Sequence, residues 1–332
     1  MSENTTQVVR PDTASHWYLV DPKKGIKSFH TVPYAGKRGK NGETRKTTLR
    51  DARKVNAFPS VTNILGVLHK DFLEAYKVNQ AILAALTLPK IDGESEDEFA
   101  KRVVTDSKEH AASAARLGSR LHEVGADYLK GITSKDSIKE GEIVEGRRLE
   151  DVAKPLRDLI EDILPAGMYT PEELSEFYVS HPIGFAGTCD GFVWLDTSKQ
   201  FIQEKLTYAG YASDAGWSGE LGGWGRPVCA IADIKSRGAN TKKPLVYETD
   251  LLQLGAYLHA VSTTPGLGFV DPNNTPVANI LVNTHPKAGT DDRWEAELVI
   301  HKKEDLKKAW EAFKHAQALW CWVKNYNPNE EK

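Results

Sequence analysis

Val228-Cys229-Ala230-Ile231-Ala232-Asp233-Ile234-Lys235 is the stretch on which the reading of this chain turns. Up to Ile234 it holds a single charged side chain, the pattern of a short strand buried on both faces. Asp233 and Lys235 stand at its carboxyl end, the region where open sheets build their sites. Spaced by one residue, the two share a face of the strand. A carboxylate in such a place is costly to bury unless something compensates it, and a divalent cation does so well. The bland alternative is an ordinary strand-end ion pair. Asp-x-Lys also occurs at Asp21-Pro22-Lys23, Asp106-Ser107-Lys108 and Asp305-Leu306-Lys307, but none of these follows a buried strand.

Working outward, Leu174 to Ser180 and Phe185 to Leu195 read as two strands turning at Gly184. Asp190 interrupts the second, in Gly187-Thr188-Cys189-Asp190-Gly191. If that strand lies beside the Val228 strand, Asp190 and Asp233 converge on one cation. Phosphodiester hydrolysis needs such a set: two carboxylates hold a metal that activates water and polarises the phosphoryl group. A lysine beside them orients the water and neutralises developing charge.

The remaining elements follow from periodicity. Ile64, Leu65 and Leu68 recur at helical spacing, and Phe72 to Leu86 continues the pattern. Ser95 with Glu98 makes a capping box before a helix to about Leu129. A charged link, Gly131 to Glu145, leads to a helix over Val152 to Leu164, closed by Pro165. Asp250 to Val261 is helical, with Leu251, Leu254, Leu258 and Val261 on one face. Val277 to Val282 and Trp294 to Ile300 read as strands, and Asp305 to Trp322 as a closing amphipathic helix. Helices followed by β-β-β-α-β-β-α predict an α/β fold, a mixed sheet flanked by helices with a crossover from the Val228 strand to the Val277 strand. Three parts are expected: a basic extension over 1–58, irregular or short-stranded; a helical entry segment over 59–94; and a core over 95–325 with an insertion at 196–227.

The chain has 332 residues, 40% hydrophobic and 27% charged, enough for a sizeable core in an ordinary globular protein. No run of eighteen apolar residues suggests a membrane span, and Met1 to Arg10 lacks the apolar stretch of a secretory leader. Cys189, Cys229 and Cys321 are odd in number, widely spaced and without a CxxC pair. They argue for reduced thiols in a cytoplasm and against a zinc ribbon. The net charge is −3, yet eleven Lys and Arg face only Glu43 and Asp51 between Pro22 and Lys54. Within that segment Lys37, Arg38, Lys40, Arg45 and Lys46 are the expected DNA contacts, since neutralised phosphates release counterions. A solvated arm is the alternative. The insertion carries Tyr208, Tyr211, Trp217 and Trp224 among many glycines. Exposed aromatics stack on unpaired bases, which nominates Trp217 and Trp224 for single strands; a flap packing its own aromatics is the simpler reading. No Walker A loop is present, and His69, His110, His181, His285 and His301 show no metal spacing and read as structural.

Five motifs in order resemble the PD-(D/E)XK nuclease superfamily, in the branch of RecB-type domains, mitochondrial genome maintenance exonucleases and related phage exonucleases. Pro59-Ser60-Val61-Thr62-Asn63-Ile64-Leu65 is similar to an opening motif of that group, and Gly118-Ser119-Arg120-Leu121-His122 to its histidine motif. Glu176, followed by Gly187-Thr188-Cys189-Asp190, resembles the Glu and Asp motifs. Asp233-Ile234-Lys235 matches the signature, and Gln253-Leu254-Gly255-Ala256-Tyr257 the Gln-x-x-x-Tyr motif. The resemblance spans about Pro59 to Val261. It implies a restriction-endonuclease-like sheet. It implies Mg2+ or Mn2+ bound by His122, Asp190, Asp233 and the Ile234 carbonyl, with Lys235 as catalytic lysine. Glu176 would support the site from a neighbouring strand, and Gln253 and Tyr257 would position the substrate or the lysine. Two departures stand out: the insertion between the two aspartates, and too few cysteines for the four-cysteine iron–sulfur cluster of some relatives.

The expected function is metal-dependent DNA hydrolysis, exonucleolytic by resemblance, in recombination, repair or replication. A structure-specific endonuclease on the same site is the nearest rival. A non-catalytic DNA-binding scaffold is another, and retention of both carboxylates and the lysine argues against it. The basic arm also permits recruitment of a recombination or replication partner.

Overall fold

The computed structural model describes residues 16–21, 23–34, 43–68, 71–211, 225–237, 246–284 and 295–330. In chain order the first elements are β1 (Trp17–Asp21), β2 (Gly25–Ser28), β3 (Thr31–Pro33), β4 (Thr44–Lys46), α1 (Leu49–Val55), β5 (Phe58–Pro59) and α2 (Val61–Ile64). A 3-10 turn at Leu65–Val67 leads to α3 (Asp71–Thr87), α4 (Glu96–Leu129), α5 (Ser134–Ser137), β6 (Ile143–Val144), β7 (Arg147–Arg148) and α6 (Leu149–Ile163). Then come β8 (Ser175–His181), β9 (Phe185–Leu195), α7 (Gln200–Tyr208), β10 (Val228–Arg237), α8 (Glu248–Thr263), β11 (Val277–Asn283), β12 (Ala296–Ile300) and α9 (Lys303–Lys324).

The Val228 stretch lies at the centre of a five-stranded mixed sheet ordered β12-β11-β10-β9-β8. β10 and β11 are parallel, as the long α8 crossover between them requires, and the other neighbours are antiparallel. Alternate residues of β10 feed two cores. Ala230, Ala232 and Ile234 pack with Leu117, Leu121 and Val124 of α4 and with Val152 and Leu156 of α6. Ile231 packs on the other face with Leu254 and Leu258 of α8 and with Trp310 and Phe313 of α9. The sheet is thus covered on both sides, which explains why its central strands read as apolar runs.

α4 starts as its capping box predicts: Glu98 N–H donates to Ser95 Oγ at 3.3 Å and Ser95 N–H to Glu98 at 3.0 Å. Its core residues Leu117, Leu121, Val124 and Leu129 lie in the C-terminal half. α3, beside it, leaves Val78, Ile82, Leu83 and Leu86 exposed.

The N-terminal part holds a small sheet ordered β2-β1-β5 and the β3–β4 hairpin. Trp17 of β1 is buried near Trp320 of α9 and Tyr326, ring centres 6.0 and 6.1 Å away. Residues 16–58 are therefore part of the packed body where they are described, and they include a helix, α1, that the apolar pattern does not announce. Asp51 fixes its first turn by accepting from Thr48 N–H at 3.0 Å and from Arg45 at 2.7 and 2.9 Å. The stretch between Asp190 and Asp233 contains α7, and Tyr211 is buried at its end. Among the described residues no helix is long and apolar enough to cross a membrane.

Candidate functional site

β9 and β10 pair from Leu195↔Val228 to Gly191↔Ala232 and then part. Beyond that fork β10 is paired only with β11, Asp233 opposite Asn279 and Lys235 opposite Leu281. β9 changes face at the same place. Cys189 and Phe192 both enter the α8–α9 core, a step of three residues where a regular strand allows two. The register with β8 is kept across this point, Ser175↔Gly191 and Phe177↔Cys189, so the change of face is a local turn of the backbone at Gly191, whose φ of +154° suits glycine. The fork leaves the Ile234 N–H without a β9 carbonyl, and it donates instead to Asp190 Oδ2 at 2.8 Å. A side-chain carboxylate replaces a ladder bond, and this brings Asp190 beside Asp233. In an extended strand one residue's N–H and C=O point to the same edge, so the Ile234 carbonyl faces the fork as well.

Asp233 is almost fully enclosed, its side chain 2% exposed. Lys235 Nζ donates to its Oδ1 at 2.6 Å and Asn279 Nδ2 to its Oδ2 at 2.7 Å. Burial pushes the Asp233 pKa up to about 6 against the pull of Lys235, and the charge of Asp190 adds to the rise. Asp190 is also desolvated, but His122, Lys235 and the Ile234 N–H outweigh burial and hold its pKa below the usual range. Burial works against the charge on Lys235, and the two aspartates overcome it and raise its pKa. Four charges from three elements therefore act on one another.

His122 reaches the fork because α4 lies close to β10. A Cβ at Gly118 would stand 2.6 Å from Ser236 Oγ, and one at Gly125 2.6 Å from Ile234 Cδ1. These glycines lie four residues before and three after His122, on its own helical face. The small-residue face thus admits the sheet, and His122 Nε2 stands 2.9 Å from Asp190 Oδ2. Burial opposes protonation of this imidazole, yet Asp190 holds its pKa above the ordinary value.

From α8, Gln253 Nε2 donates to Tyr257 Oη at 3.2 Å. The Tyr257 ring lies against β9, where a Cβ on Gly187 would meet it at 2.6 Å. Burial holds the phenol well above its usual pKa, with Asp190 and Asp233 adding to the effect. Arg237 at the end of β10 pairs with Asp250 of α8. Glu176 is not brought into this cluster. It lies opposite the fork, between the pairs Ser175↔Gly191 and Phe177↔Cys189, with its side chain exposed and φ at +51°. Among the described residues it forms no hydrogen bond or ion pair. Arg45 is bound to Asp51, so its charge already has a structural partner, whereas Lys46 is exposed. Lys37, Arg38, Lys40, Trp217 and Trp224 lie outside the described residues.

Asn279 was not singled out from the sequence, and His301 was read there as structural. Asn279 links Asp233 to His301, whose Nε2 stands 2.7 Å from Asn279 Oδ1. An asparagine in the middle of Val277-Ala-Asn-Ile-Leu-Val-Asn283 was a signal: a polar group inside a fully buried strand must have a partner.

The donor set suits a hard divalent cation, with two carboxylates, an imidazole and a backbone carbonyl around one fork. The raised pKa of Asp233 marks a buried charge that a cation would compensate. Asp190 Oδ1 has no hydrogen-bond partner among the described residues. Yet among those residues no three His, Cys, Asp or Glu side chains are already arranged to hold a metal ion. The protein's own cations occupy that role here, Lys235 on Asp233 and His122 on Asp190.

Comparison with solved structures finds a crystal structure of a candidate exonuclease from Eubacterium rectale, 12% identical, with a TM-score of 0.37, covering 78% of this chain and 86% of that one. A likeness at that score carries no argument about activity. No protein-family model and no curated protein matches the chain.

Proposed function

We propose that this chain is a divalent-metal-dependent deoxyribonuclease of the PD-(D/E)XK type, and that the fork between β9 and β10 is its catalytic centre. The observation that carries the reading is the meeting of Asp190 and Asp233, 43 residues apart in the chain, beside Lys235. Asp190, Asp233, His122 and the Ile234 carbonyl are the groups that would hold Mg2+ or Mn2+. When bound, the cation lowers the pKa of a water and polarises the phosphoryl oxygens. Lys235 Nζ, which donates to Asp233 Oδ1 at 2.6 Å, is the group that would donate to the attacking water or to a phosphoryl oxygen, where its charge would offset the charge that develops. Gln253 and Tyr257, joined by a 3.2 Å hydrogen bond, would position the substrate or Lys235 from α8. The exonuclease mode, the branch and the roles in recombination, repair or replication rest on the motif resemblance, and the basic N-terminal segment supplies the contact with DNA.

Digestion of end-labelled single- and double-stranded DNA with Mg2+, Mn2+ or EDTA tests this. Cleavage that EDTA stops and Lys235→Ala abolishes is expected. Cleavage indifferent to both contradicts the reading, and cleavage of closed circles replaces the exonuclease by the endonuclease mode.

A further inference from the structure

β11 is buried along its whole length, and Asn279 is its third residue. The register sets Asn279 beside Asp233 on one side and Val299 on the other, with His301 one residue beyond β12. Asn279 Nδ2 donates to Asp233 Oδ2 at 2.7 Å and to the Asp233 carbonyl at 3.3 Å. Asn279 Oδ1 faces His301 Nε2 at 2.7 Å. An ionised carboxylate only accepts, so the Asn279 amide must turn its NH2 to Asp233. The amide oxygen also only accepts, so His301 must carry its proton on Nε2. The reverse amide orientation would set two acceptors face to face in a site that excludes water. Asn279 is fully buried and His301 nearly so, which leaves no solvent to rescue a wrong assignment.

We propose that Asn279 and His301 are positioning residues, a relay that holds Asp233 by Oδ2 so that Oδ1 is the oxygen turned to Lys235 and to the cation. The clause about the cation rests on the nuclease reading; the relay itself rests on geometry alone. Its effect is to make the two oxygens of Asp233 unlike. One is fixed by a buried amide whose orientation is set from the far side of β11, and the other remains for exchange between lysine and metal. A carboxylate held in this way enters the site with its rotamer already chosen. Removing the His301 donor leaves Asn279 Oδ1 unpaired and frees the amide to turn, and Asp233 loses its direction.

Two measurements on the intact chain test the proposal. At pH 8 without metal, 15N-edited NMR should show the His301 ring in its Nε2–H tautomer, with that proton and the Asn279 NH2 protected from exchange. An Nδ1–H tautomer, or a freely exchanging Asn279 amide, overturns the relay. Calorimetric titration with Mn2+ should show about tenfold weaker binding for His301→Leu than for wild type. His301→Gln, whose amide N–H can replace the lost donor, should recover to within about threefold. Equal affinity in wild type and His301→Leu overturns the positioning role. Wild-type protein that binds no Mn2+ overturns the proposed function and the cation clause with it, while the tautomer still decides the relay.

Discussion

Burial and Lys235 pull the proton of Asp233 in opposite directions, and burial prevails. Lys235→Ala therefore does more than remove a catalytic donor. It leaves a buried carboxylate with one partner fewer, and removal of one member of such a pair costs about 3 kcal/mol or more. Urea unfolding of the variant at pH 8 should show that loss, and a midpoint equal to wild type would contradict the enclosure of Asp233. His301 gives a second test at this scale. Burial pushes its pKa down to about 4, below the usual 6.5. Above pH 6.5 the ring is neutral in both folded and unfolded chains, and its contribution to stability is complete. As the pH falls through 6.5 the unfolded chain takes the proton first, and stability drains until the folded ring titrates near 4. The loss amounts to at most about 3 kcal/mol. Unfolding curves at pH 7 and 4.5 should show a smaller pH effect for His301→Gln than for wild type. The same effect in both would contradict a buried neutral His301.

The elements show what the sequence could disclose. Phe185–Leu195 was legible to the residue because both ends carry turn signals, and β10 was legible as far as Ile234 because its apolar run stops there. The structure carries β10 on to Arg237, since pairing with β11 continues past the charged residues. α1 was not legible: Leu49, Ala52 and Val55 at three-residue spacing make too short an apolar stripe among charges, and what fixes the helix is the Arg45–Asp51 pair and the packing of Ala52 near Tyr326. Of the site, Asp190, Asp233, Lys235 and His122 could be nominated from ordered motifs, but the fork that unites them could not. A missing ladder bond and a local change of face at Gly191 have no periodic signature. Asn279 in an apolar run signalled that it needed a partner, but which partner follows only from register with a strand distant in the chain. Packing at the fork yields a prediction for Gly187→Ala. The new methyl would press on the buried Tyr257 ring, which has nowhere to turn. A cost of about 1–3 kcal/mol is expected, as for other overpacked cores. Thermal melting would read it, and an unchanged or raised midpoint would show that α8 stands off β9.

Across the whole molecule the sheet is closed on both faces by helices, and the fork is where His122 of α4 and Tyr257 of α8 approach the same pair of strands. The charge is unevenly distributed, with net −3 overall but a strongly basic stretch between Pro22 and Lys54. Replacing Lys37, Arg38 and Lys40 together by Ala should weaken DNA binding at low salt. It should also flatten the slope of log affinity against log salt by up to about 2.7, at roughly 0.9 for each phosphate no longer neutralised. A slope unchanged from wild type would remove these three side chains from the DNA interface. The basic stretch matters only if the fork handles a phosphodiester, and the fork does so only if its two aspartates share a cation. Anomalous diffraction from crystals grown with Mn2+ measures this directly. The account predicts a single strong peak within bonding reach of both the Asp190 and Asp233 carboxylates, with Lys235 Nζ moved off Asp233 Oδ1. No peak there, with the Lys235–Asp233 and His122–Asp190 pairs intact at saturating Mn2+, would contradict it.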